Sequence, residues 1–320
     1  MSLRFLAPLM LLSAFLSPGC AAPTPPPGTS SVPAQPPAAT SAPAWVTRAV
    51  PAPRVTHHVF ASAATKGNVS YHLYRPAAYA DETRRFPVVY WLHGSGGGLP
   101  GIPVVARRFD AAIEAGKLPP CLVVFVNGLE MGMYVDWTDG SAPIESMMIR
   151  DLLPHVDATY RTIAQREGRL LDGFSMGGYG AARLGFKYPE LFRAVSLAGA
   201  GPLQSELKST PRASRLQAEE LLRRVYGGDQ ATFRAVGPRA LAERNAKTIA
   251  QGMLVRMVVG EQDETFAHNQ DFHRHLETLG IPHSWTVLPG LGHDPDRVFA
   301  ALGDANWEFY RLAFTTPRAR

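Results

Sequence analysis

The feature of this sequence that most constrains its fold is a series of short, mainly apolar runs, each followed by a stretch of helical composition. Strands of a parallel sheet are buried on both faces and therefore appear as continuous apolar runs, and a helix connects each strand to the next. The pattern predicts an α/β fold with a mostly parallel central sheet flanked by helices. The runs are Pro87–Leu92, Leu122–Val126, Arg169–Leu171, Ala194–Leu197, Leu254–Val259 and Ser284–Leu288.

A hairpin precedes these runs, and a helical segment interrupts them. Val55–Phe60 and Val69–Tyr74 alternate apolar and polar residues on either side of Lys66-Gly67-Asn68, which is typical of an antiparallel hairpin. Residues 203–250 are rich in Leu, Ala and Arg and have no strand pattern, so we expect a helical insertion after the sixth strand, over one end of the sheet. The other helices are predicted at Phe109–Ala115, Ile144–Tyr160, Tyr179–Lys187, Asn269–Leu279 and Asp296–Leu312.

The segment Gly173-Phe174-Ser175-Met176-Gly177 has the G-x-S-x-G pattern of a nucleophile elbow. It lies between the apolar run that ends at Leu171 and the helix predicted from Tyr179, which is the context that the motif requires. The turn is so sharp that the residues two before and two after the serine must lack side chains. The pattern predicts Ser175 as a nucleophile exposed above the sheet.

A serine hydroxyl needs a base to take its proton, and the base needs an acidic residue to orient it. His293 follows the last predicted strand in a glycine-rich segment and is the candidate base. Asp263 follows the penultimate strand and is the candidate acid, with Glu261 and Glu264 as close rivals. The chain order of serine, aspartate and histidine is that of the α/β hydrolases.

Acyl transfer also needs hydrogen-bond donors for the oxyanion that develops on the substrate. The backbone amide of Met176, directly after the nucleophile, is one candidate donor. The second should come from the glycine-rich turn His93–Gly98, after the first apolar run. We expect the amide of Ser95 to serve, with those of Gly94 and Gly96 as alternatives.

Several longer motifs resemble the esterase D and antigen 85 group of α/β hydrolases, which includes S-formylglutathione hydrolases, feruloyl and acetylxylan esterases, and mycolyltransferases. The similarity extends from about Val69 to Phe309. The resemblance implies the α/β-hydrolase fold, the triad Ser175, Asp263 and His293, oxyanion donation by the two amides named above, and no cofactor. The motifs are Pro87-Val-Val-Tyr-Trp-Leu-His-Gly-Ser-Gly-Gly97, Tyr134-Val-Asp136, Asp151-Leu-Leu-Pro-His-Val-Asp-Ala-Thr-Tyr-Arg161, Gly173-Phe-Ser-Met-Gly-Gly-Tyr-Gly180 and Gly292-His-Asp294.

The N-terminal segment predicts export. The apolar run Phe5–Leu16 is too short to span a membrane but has the length of a signal-peptide core. Pro18-Gly19-Cys20 resembles the end of a bacterial lipoprotein signal, in which Cys20 would carry the lipid and tether the protein to a membrane. Cleavage after Ala21 or Ala22 without lipidation is the alternative. The protein is therefore expected in the periplasm, at the cell surface or in the medium.

The domain boundaries follow from composition. Residues 1–20 form the predicted signal peptide. Residues 21–53 are dominated by Pro, Ala, Ser and Thr and are predicted to be a disordered tether, because such a stretch cannot bury enough apolar surface to fold. Residues 54–314 form the predicted catalytic domain, with the helical insertion at about 203–250.

Charge and cysteine content exclude other classes of function. The net charge of +5 and the pI near 9.3 come from scattered Lys and Arg residues, so no nucleic-acid site is predicted. Cys20 and Cys121 cannot form a disulfide framework, and Cys121 at the head of an apolar run is expected to be buried. His268, His273 and His275 cluster, but the last two point to different sides of a helix, and no metal site is predicted.

Together these features predict a serine esterase that forms an acyl-enzyme and hydrolyses small acyl or carbohydrate-linked esters of the acetyl or feruloyl type. Tyr134 and Trp137 follow the second apolar run and are predicted to contact the substrate, with an ordinary packed loop as the alternative. Acyl transfer to a sugar or lipid acceptor is a second hypothesis, and a non-catalytic binding protein on a hydrolase scaffold is a third. The complete set of serine, acid and histidine argues against the third.

Overall fold

The computed structural model describes residues 43–208 and 214–315. In this part of the chain eight strands form one sheet, and the predicted α/β fold is confirmed. The apolar runs all become strands, of which two match the predicted bounds. The strands are β1 (Val55–Ser62), β2 (Gly67–Tyr74), β3 (Val88–Leu92), β4 (Leu122–Val126), β5 (Arg169–Phe174), β6 (Ala194–Ala198), β7 (Leu254–Gly260) and β8 (Ser284–Leu288).

The strand order in the sheet is β1-β2-β4-β3-β5-β6-β7-β8. β1 and β2 form the predicted antiparallel hairpin, which extends to the pair Ser62–Gly67. The turn therefore comes earlier than Lys66-Gly67-Asn68. β2 is also antiparallel to β4, and the remaining neighbours are parallel. Because parallel strands share a direction, the carboxyl ends of β3 to β8 meet at one edge of the sheet, where ligands bind in open α/β sheets.

Helices cover both faces of the sheet. The predicted helix from Ile144 to Tyr160 is two short α-helices joined by a π-helical turn at Met147–Leu152. The last helix is broken at Gly303, whose φ of 51° is not helical. The α-helices of the described residues are α1 (Ile102–Glu114), α2 (Ile144–Ser146), α3 (Leu153–Thr159), α4 (Met176–Lys187), α5 (Arg215–Tyr226), α6 (Gln230–Val236), α7 (Pro238–Ala250), α8 (Phe266–Thr278) and α9 (Pro295–Phe314).

The core is divided between the two faces of the sheet by the alternation of strand side chains. In β3, Val88 and Tyr90 belong to the core on the face covered by α4 and α8, and Val89 and Trp91 to the core on the face covered by α1 and α9. All four are at most 8% exposed. Burying a side chain of this size contributes roughly 1.5–3 kcal/mol. Cys121 is also fully buried, as predicted.

The predicted helical insertion is present as α5, α6 and α7, between β6 and β7. Its last helix packs along α4, the helix that follows Ser175. The hydroxyl groups of Tyr226 on α5 and Tyr179 on α4 lie 3.2 Å apart. The amide of Thr138 donates to the carbonyl of Val225. The insertion thus covers α4 and the segment after β4.

The folded domain begins before the predicted boundary at residue 54. The side chain of Trp45 packs against the core, and the carbonyl groups of Ala44 and Trp45 accept hydrogen bonds from Asn127 Nδ2. Further along, the amide of Val50 donates to His72 Nε2. The prediction of a disordered tether rested on average composition, which does not show that single residues such as Trp45 contact the core.

The remaining N-terminal predictions concern residues outside the described part. The signal peptide at 1–20, Cys20 and the tether up to residue 42 all lie there. Among the described residues, no helix is long and apolar enough to cross a membrane.

Candidate active site

Ser175 lies at the carboxyl edge of the sheet, between the end of β5 and the start of α4. Its backbone has φ 60° and ψ −120°, a conformation that costs a non-glycine residue roughly 1–3 kcal/mol. Three backbone hydrogen bonds hold it: the Ser175 amide donates to Ala198, and its carbonyl accepts from Tyr179 and Gly201. The structure thus forms the strained elbow predicted from the sequence.

The glycines of the elbow are required by close backbone contacts. A Cβ atom on Gly173 would lie 2.3 Å from the backbone of Gly177, and one on Gly177 would lie 1.9 Å from the carbonyl oxygen of Leu92. Such distances are far inside van der Waals contact. α4 can therefore pack directly against the ends of β3 and β5, and Ser175 is raised above the sheet.

His293 and Asp263 meet at the same edge, from the loops that follow β8 and β7. His293 Nδ1 lies 2.9 Å and 2.8 Å from the two carboxylate oxygens of Asp263. Both side chains are almost inaccessible, at 4% and 0% exposed. Because Nδ1 donates to the carboxylate, Nε2 is the nitrogen left to accept a proton.

The carboxyl group of Asp263 is held in its charged form. Burial alone would raise its pKa, but hydrogen bonds from His293 and from the amide and hydroxyl of Thr265 outweigh that effect, and the pKa lies below its ordinary value. Asp263 can thus stabilise the positive charge that His293 acquires when it takes a proton.

The rival acids have other positions. Glu261 is exposed, and its carboxylate accepts a hydrogen bond from the amide of Gly290. Glu264 is exposed, and one of its carboxylate oxygens lies within 4.8 Å of a carboxylate oxygen of Asp263 and of a ring nitrogen of His293. The hydrogen bonds of His293 Nδ1 go to Asp263.

The imidazole reaches the elbow through two contacts. Its ring packs on the ring of Phe174, directly before the nucleophile, with centroids 4.6 Å apart. A Cβ atom on Gly199 would lie 3.3 Å from His293 Nδ1, and Gly199 follows Ala198, whose carbonyl binds the Ser175 amide. Within residues 43–208 and 214–315 no hydrogen bond joins the Ser175 hydroxyl to His293. In unliganded enzymes such a contact often tightens only when substrate binds.

The two predicted oxyanion donors also lie at this edge. Met176 is the first residue of α4, so its amide belongs to the unpaired, electropositive helix N-terminus. The turn His93–Gly98 passes over the nucleophile, since a Cβ atom on Gly94 would lie 3.4 Å from that of Ser175. The amide of Gly96 donates to the carbonyl of Glu130, which removes Gly96 from the alternatives. Ser95 is exposed at the top of the turn.

Tyr134 and Trp137 are buried, at 0% and 9% exposed. The hydroxyl of Tyr134 donates to the carbonyl of His93, 3.0 Å away. The ring of Trp137 packs against the guanidinium of Arg224 on α5. The burial of both side chains fits the packed loop that was the alternative to the substrate contact predicted from the sequence.

Sequence reasoning did not identify Thr265 or Asn269, whose hydrogen bonds support the position of Asp263. Thr265 donates twice to Asp263, and Asn269 Nδ2 donates to Thr265 and to the carbonyl of Ala200. The Asp-x-Thr spacing at 263–265 is a local signal for the first, because an aspartate commonly accepts from the backbone two residues later. Asn269 had no such signal.

Comparison with known proteins identifies the family of the chain. Residues 62–320 match the model of a family described as putative esterase. The chain belongs to this esterase family. Esterase Rv1288 from Mycobacterium tuberculosis is 29% identical over 269 residues, which cover 75% of this chain and 56% of the relative. The chain thus matches little more than half the length of this curated member.

Solved structures place the fold of this esterase-family chain among known α/β hydrolases. A ferulic acid esterase superposes with a TM-score of 0.67 at 19% identity and covers 82% of this chain and 98% of its own. S-formylglutathione hydrolase from Staphylococcus aureus superposes with a TM-score of 0.63 at 16% identity, with the same coverage. At these identities the likeness shows the shared fold.

Proposed function

We propose that this protein is a serine carboxylic-ester hydrolase in which Ser175 is the nucleophile, His293 the base and Asp263 the acid that orients it. The observation that carries the proposal is the buried hydrogen bond between His293 and Asp263 beside the strained elbow of Ser175. Membership of the esterase family supports the same reaction class.

The first half of the reaction acylates the serine. Ser175 Oγ attacks the ester carbonyl carbon as His293 Nε2 takes its proton, and the carbonyl electron pair moves onto the oxygen. The amides of Met176 and Ser95 stabilise this oxyanion. The electron pair returns, the carbon–oxygen bond to the alcohol breaks, and His293 gives its proton to the leaving alkoxide.

The second half releases the acid. Water gives a proton to His293 Nε2 and attacks the acyl carbon, forming a second oxyanion in the same place. When this intermediate collapses, Ser175 leaves and recovers the proton from His293. Asp263 stays ionised throughout and stabilises the imidazolium of both steps.

We further propose small acyl or carbohydrate-linked esters, of the acetyl or feruloyl type, as the substrate class. The turn His93–Gly98 leaves room for a bulky ester at Gly96, because a Cβ atom added there would meet no atom within 4 Å. Export of the chain, with Cys20 as a lipid anchor, belongs to the same proposal, since it would bring the enzyme to substrates outside the cell.

Replacing the nucleophile tests the reaction. Ser175→Ala should lower hydrolysis of p-nitrophenyl acetate to the rate without enzyme and abolish labelling by a fluorophosphonate probe, because both depend on the activated serine as nucleophile. Ser141→Ala is the matched control, since Ser141 lies on the exposed surface and hydrogen-bonds to Asp139. Turnover retained by Ser175→Ala would remove this serine from the mechanism.

A substrate panel tests the substrate class. The panel consists of p-nitrophenyl esters of increasing acyl length, methyl ferulate and acetylated xylan. We expect the highest kcat/KM for the short acyl and feruloyl esters. Repeating each assay with a carbohydrate acceptor measures acyl transfer. A transfer product that exceeds the free acid would show that water is not the preferred acceptor.

A further inference from the structure

The turn that carries the proposed Ser95 donor is supported by a second loop. We call residues 93–98 the oxyanion loop and residues 127–134, which follow β4, the supporting loop. Three hydrogen bonds join them: the Gly128 amide donates to His93 Nε2 at 3.1 Å, the Gly96 amide to the Glu130 carbonyl at 2.9 Å, and the Tyr134 hydroxyl to the His93 carbonyl at 3.0 Å.

His93 is locked at the base of the oxyanion loop. Because Nε2 accepts from Gly128, Nδ1 holds the proton and donates to the carbonyl of Gly94 at 2.7 Å. Burial lowers the pKa of His93, which favours this neutral form. On the side of α4, a Cβ atom on Gly177 would lie 2.9 Å from the His93 carbonyl oxygen. That carbonyl is therefore held between the elbow helix and the phenol of Tyr134.

Tyr134 itself has no room to move. A Cβ atom on Gly128 would lie 2.4 Å from its ring, and one on Gly180 of α4 would lie 2.3 Å from the ring on the other side. Its backbone has a φ of 51°, in the left-handed region that favours glycine. A tyrosine in that conformation must be held there by its surroundings.

A buried ion pair holds the backbone of Tyr134. Arg183 Nη1 on α4 donates to the Tyr134 carbonyl at 2.9 Å, and Nη2 pairs with Glu145. The side chains of Arg183 and Glu145 are 2% and 7% exposed. Hydrogen bonds of a buried charge are strong, because water does not compete for them. Tyr134 is thus fixed at its carbonyl by α4 and contacts the oxyanion loop through its hydroxyl.

We propose that Tyr134 is a positioning residue for the oxyanion hole. Its hydroxyl sets the place of the His93 carbonyl and thereby the distance between the Ser95 amide and Ser175. The inference rests on the proposed function, since an oxyanion forms only if Ser175 attacks an ester. A shift of about 1 Å in a catalytic group can cost roughly 10²-fold in rate, so one hydrogen bond at this place has a measurable effect.

The test is Tyr134→Phe in the full-length protein, which removes one oxygen atom and keeps the packed ring. We expect kcat/KM for p-nitrophenyl acetate to fall about 10-fold, mostly in kcat, with KM unchanged within about twofold. The inhibition constant of an aryl trifluoromethyl ketone should rise by a similar factor. Ser175 Oγ adds reversibly to that ketone, with its proton going to His293, and the resulting oxyanion uses the same donors.

Tyr226→Phe is the matched control. Tyr226 is a fully buried tyrosine on α5 whose hydroxyl meets that of Tyr179 and not the oxyanion loop. Its removal should lower the melting temperature by an amount similar to that for Tyr134→Phe and leave kcat and the ketone inhibition constant unchanged. The pH profile of kcat/KM should keep its shape in both variants, because His293 and Asp263 are not altered.

A lowered melting temperature of Tyr134→Phe with unchanged kcat and ketone binding would overturn the inference, as would a fall in kcat without weaker ketone binding. If this variant does not fold, Arg183→Lys provides the same readout, because lysine keeps the charge beside Glu145 but cannot also span to the Tyr134 carbonyl. Its kcat and ketone affinity should each fall about threefold, and unchanged values would refute the proposal. Failure of the proposed function differs: the wild-type protein would then neither hydrolyse esters nor bind the ketone.

Discussion

At the scale of residues, burial separates Asp263 from the two neighbouring acids. Glu261 and Glu264 follow the same strand but remain exposed, whereas Asp263 is turned inward against His293. The sequence could place an acid after β7, since the α/β-hydrolase order requires one there. The sequence did not decide which of the three carboxylates contacts His293, because that depends on how the backbone turns between residues 260 and 265.

Replacing Asp263 by asparagine tests this assignment. We expect kcat for p-nitrophenyl acetate to fall by about 10³- to 10⁴-fold, because the amide no longer holds the imidazole with a proton on Nδ1 and does not stabilise its charge. The measurement is steady-state kinetics of Asp263→Asn beside Glu261→Gln and Glu264→Gln, whose kcat should stay within about threefold of wild type. A larger loss in either glutamine variant would reassign the acid.

The elbow and its supports differ in how far sequence could predict them. Gly173 is required by a contact within the turn and Gly177 by the carbonyl oxygen of Leu92 on β3, and their spacing around Ser175 was sufficient to predict the turn. The support from Tyr134 depends on Gly128, which lies earlier in the supporting loop, and on Gly180, which lies on α4. No local pattern encodes that contact, and only the folded structure brings the three residues together.

At the scale of elements, the buried strands were the most predictable parts. β4 and β8 have the predicted bounds, and β5 is longer than Arg169–Leu171 because the buried Asp172 pairs with the hydroxyl of Tyr310. An acidic residue ends an apolar run in the sequence. It need not end the strand when another element, here α9, supplies a hydrogen-bond donor for the buried carboxyl group. α1 begins at Ile102, seven residues before the predicted start at Phe109. Pro103 does not prevent this, because proline is well tolerated in the first turn of a helix.

The ion pair between α2 and α4 gives a prediction about stability. Glu145 contacts Arg183, Lys187 and Tyr188. Glu145→Gln would leave Arg183 buried without its counter-charge, and removal of one partner of a buried pair costs roughly 3–5 kcal/mol. Urea unfolding at pH 7 measures the loss. Glu219→Gln is the control, because the exposed pair of Glu219 with Arg215 should contribute less than about 1 kcal/mol.

The same pair should make the wild-type protein sensitive to acid. Burial alone would raise the pKa of Glu145, but Arg183, Lys187 and Tyr188 outweigh it, and the pKa lies below its ordinary value of 4.5. The stabilisation is therefore complete above about pH 4.5 and is lost as the pH falls through the lower value of the folded state. The urea midpoint of Glu145→Gln should fall less between pH 6 and pH 4 than that of wild type. An equal fall in the urea midpoint of both proteins would contradict this account.

At the scale of the whole molecule, the first described residues of the chain are bound at the carboxyl edge of the sheet. Asn127 follows β4 at the carboxyl edge of the sheet, and its side chain binds the carbonyl groups of Ala44 and Trp45. Composition predicted one uniform tether up to residue 53, because the Pro- and Ala-rich pattern continues past Trp45. The fold class was predicted from the apolar runs, without this segment.

The proposed lipid anchor at Cys20 gives a prediction about location. Wild type expressed in a bacterium should sediment with membranes and incorporate labelled palmitate, whereas Cys20→Ser should be soluble and unlabelled, because the serine hydroxyl cannot replace the thiol that receives the lipid. Its kcat/KM should match that of wild type, since Ser175, Asp263 and His293 lie far along the chain from residue 20. Cys121→Ala is the control and should keep the label, because Cys121 is fully buried in the core. A soluble, unlabelled wild-type protein would favour ordinary signal-peptide cleavage after Ala21 or Ala22, and a Cys20→Ser variant that stays with the membranes would require a different anchor.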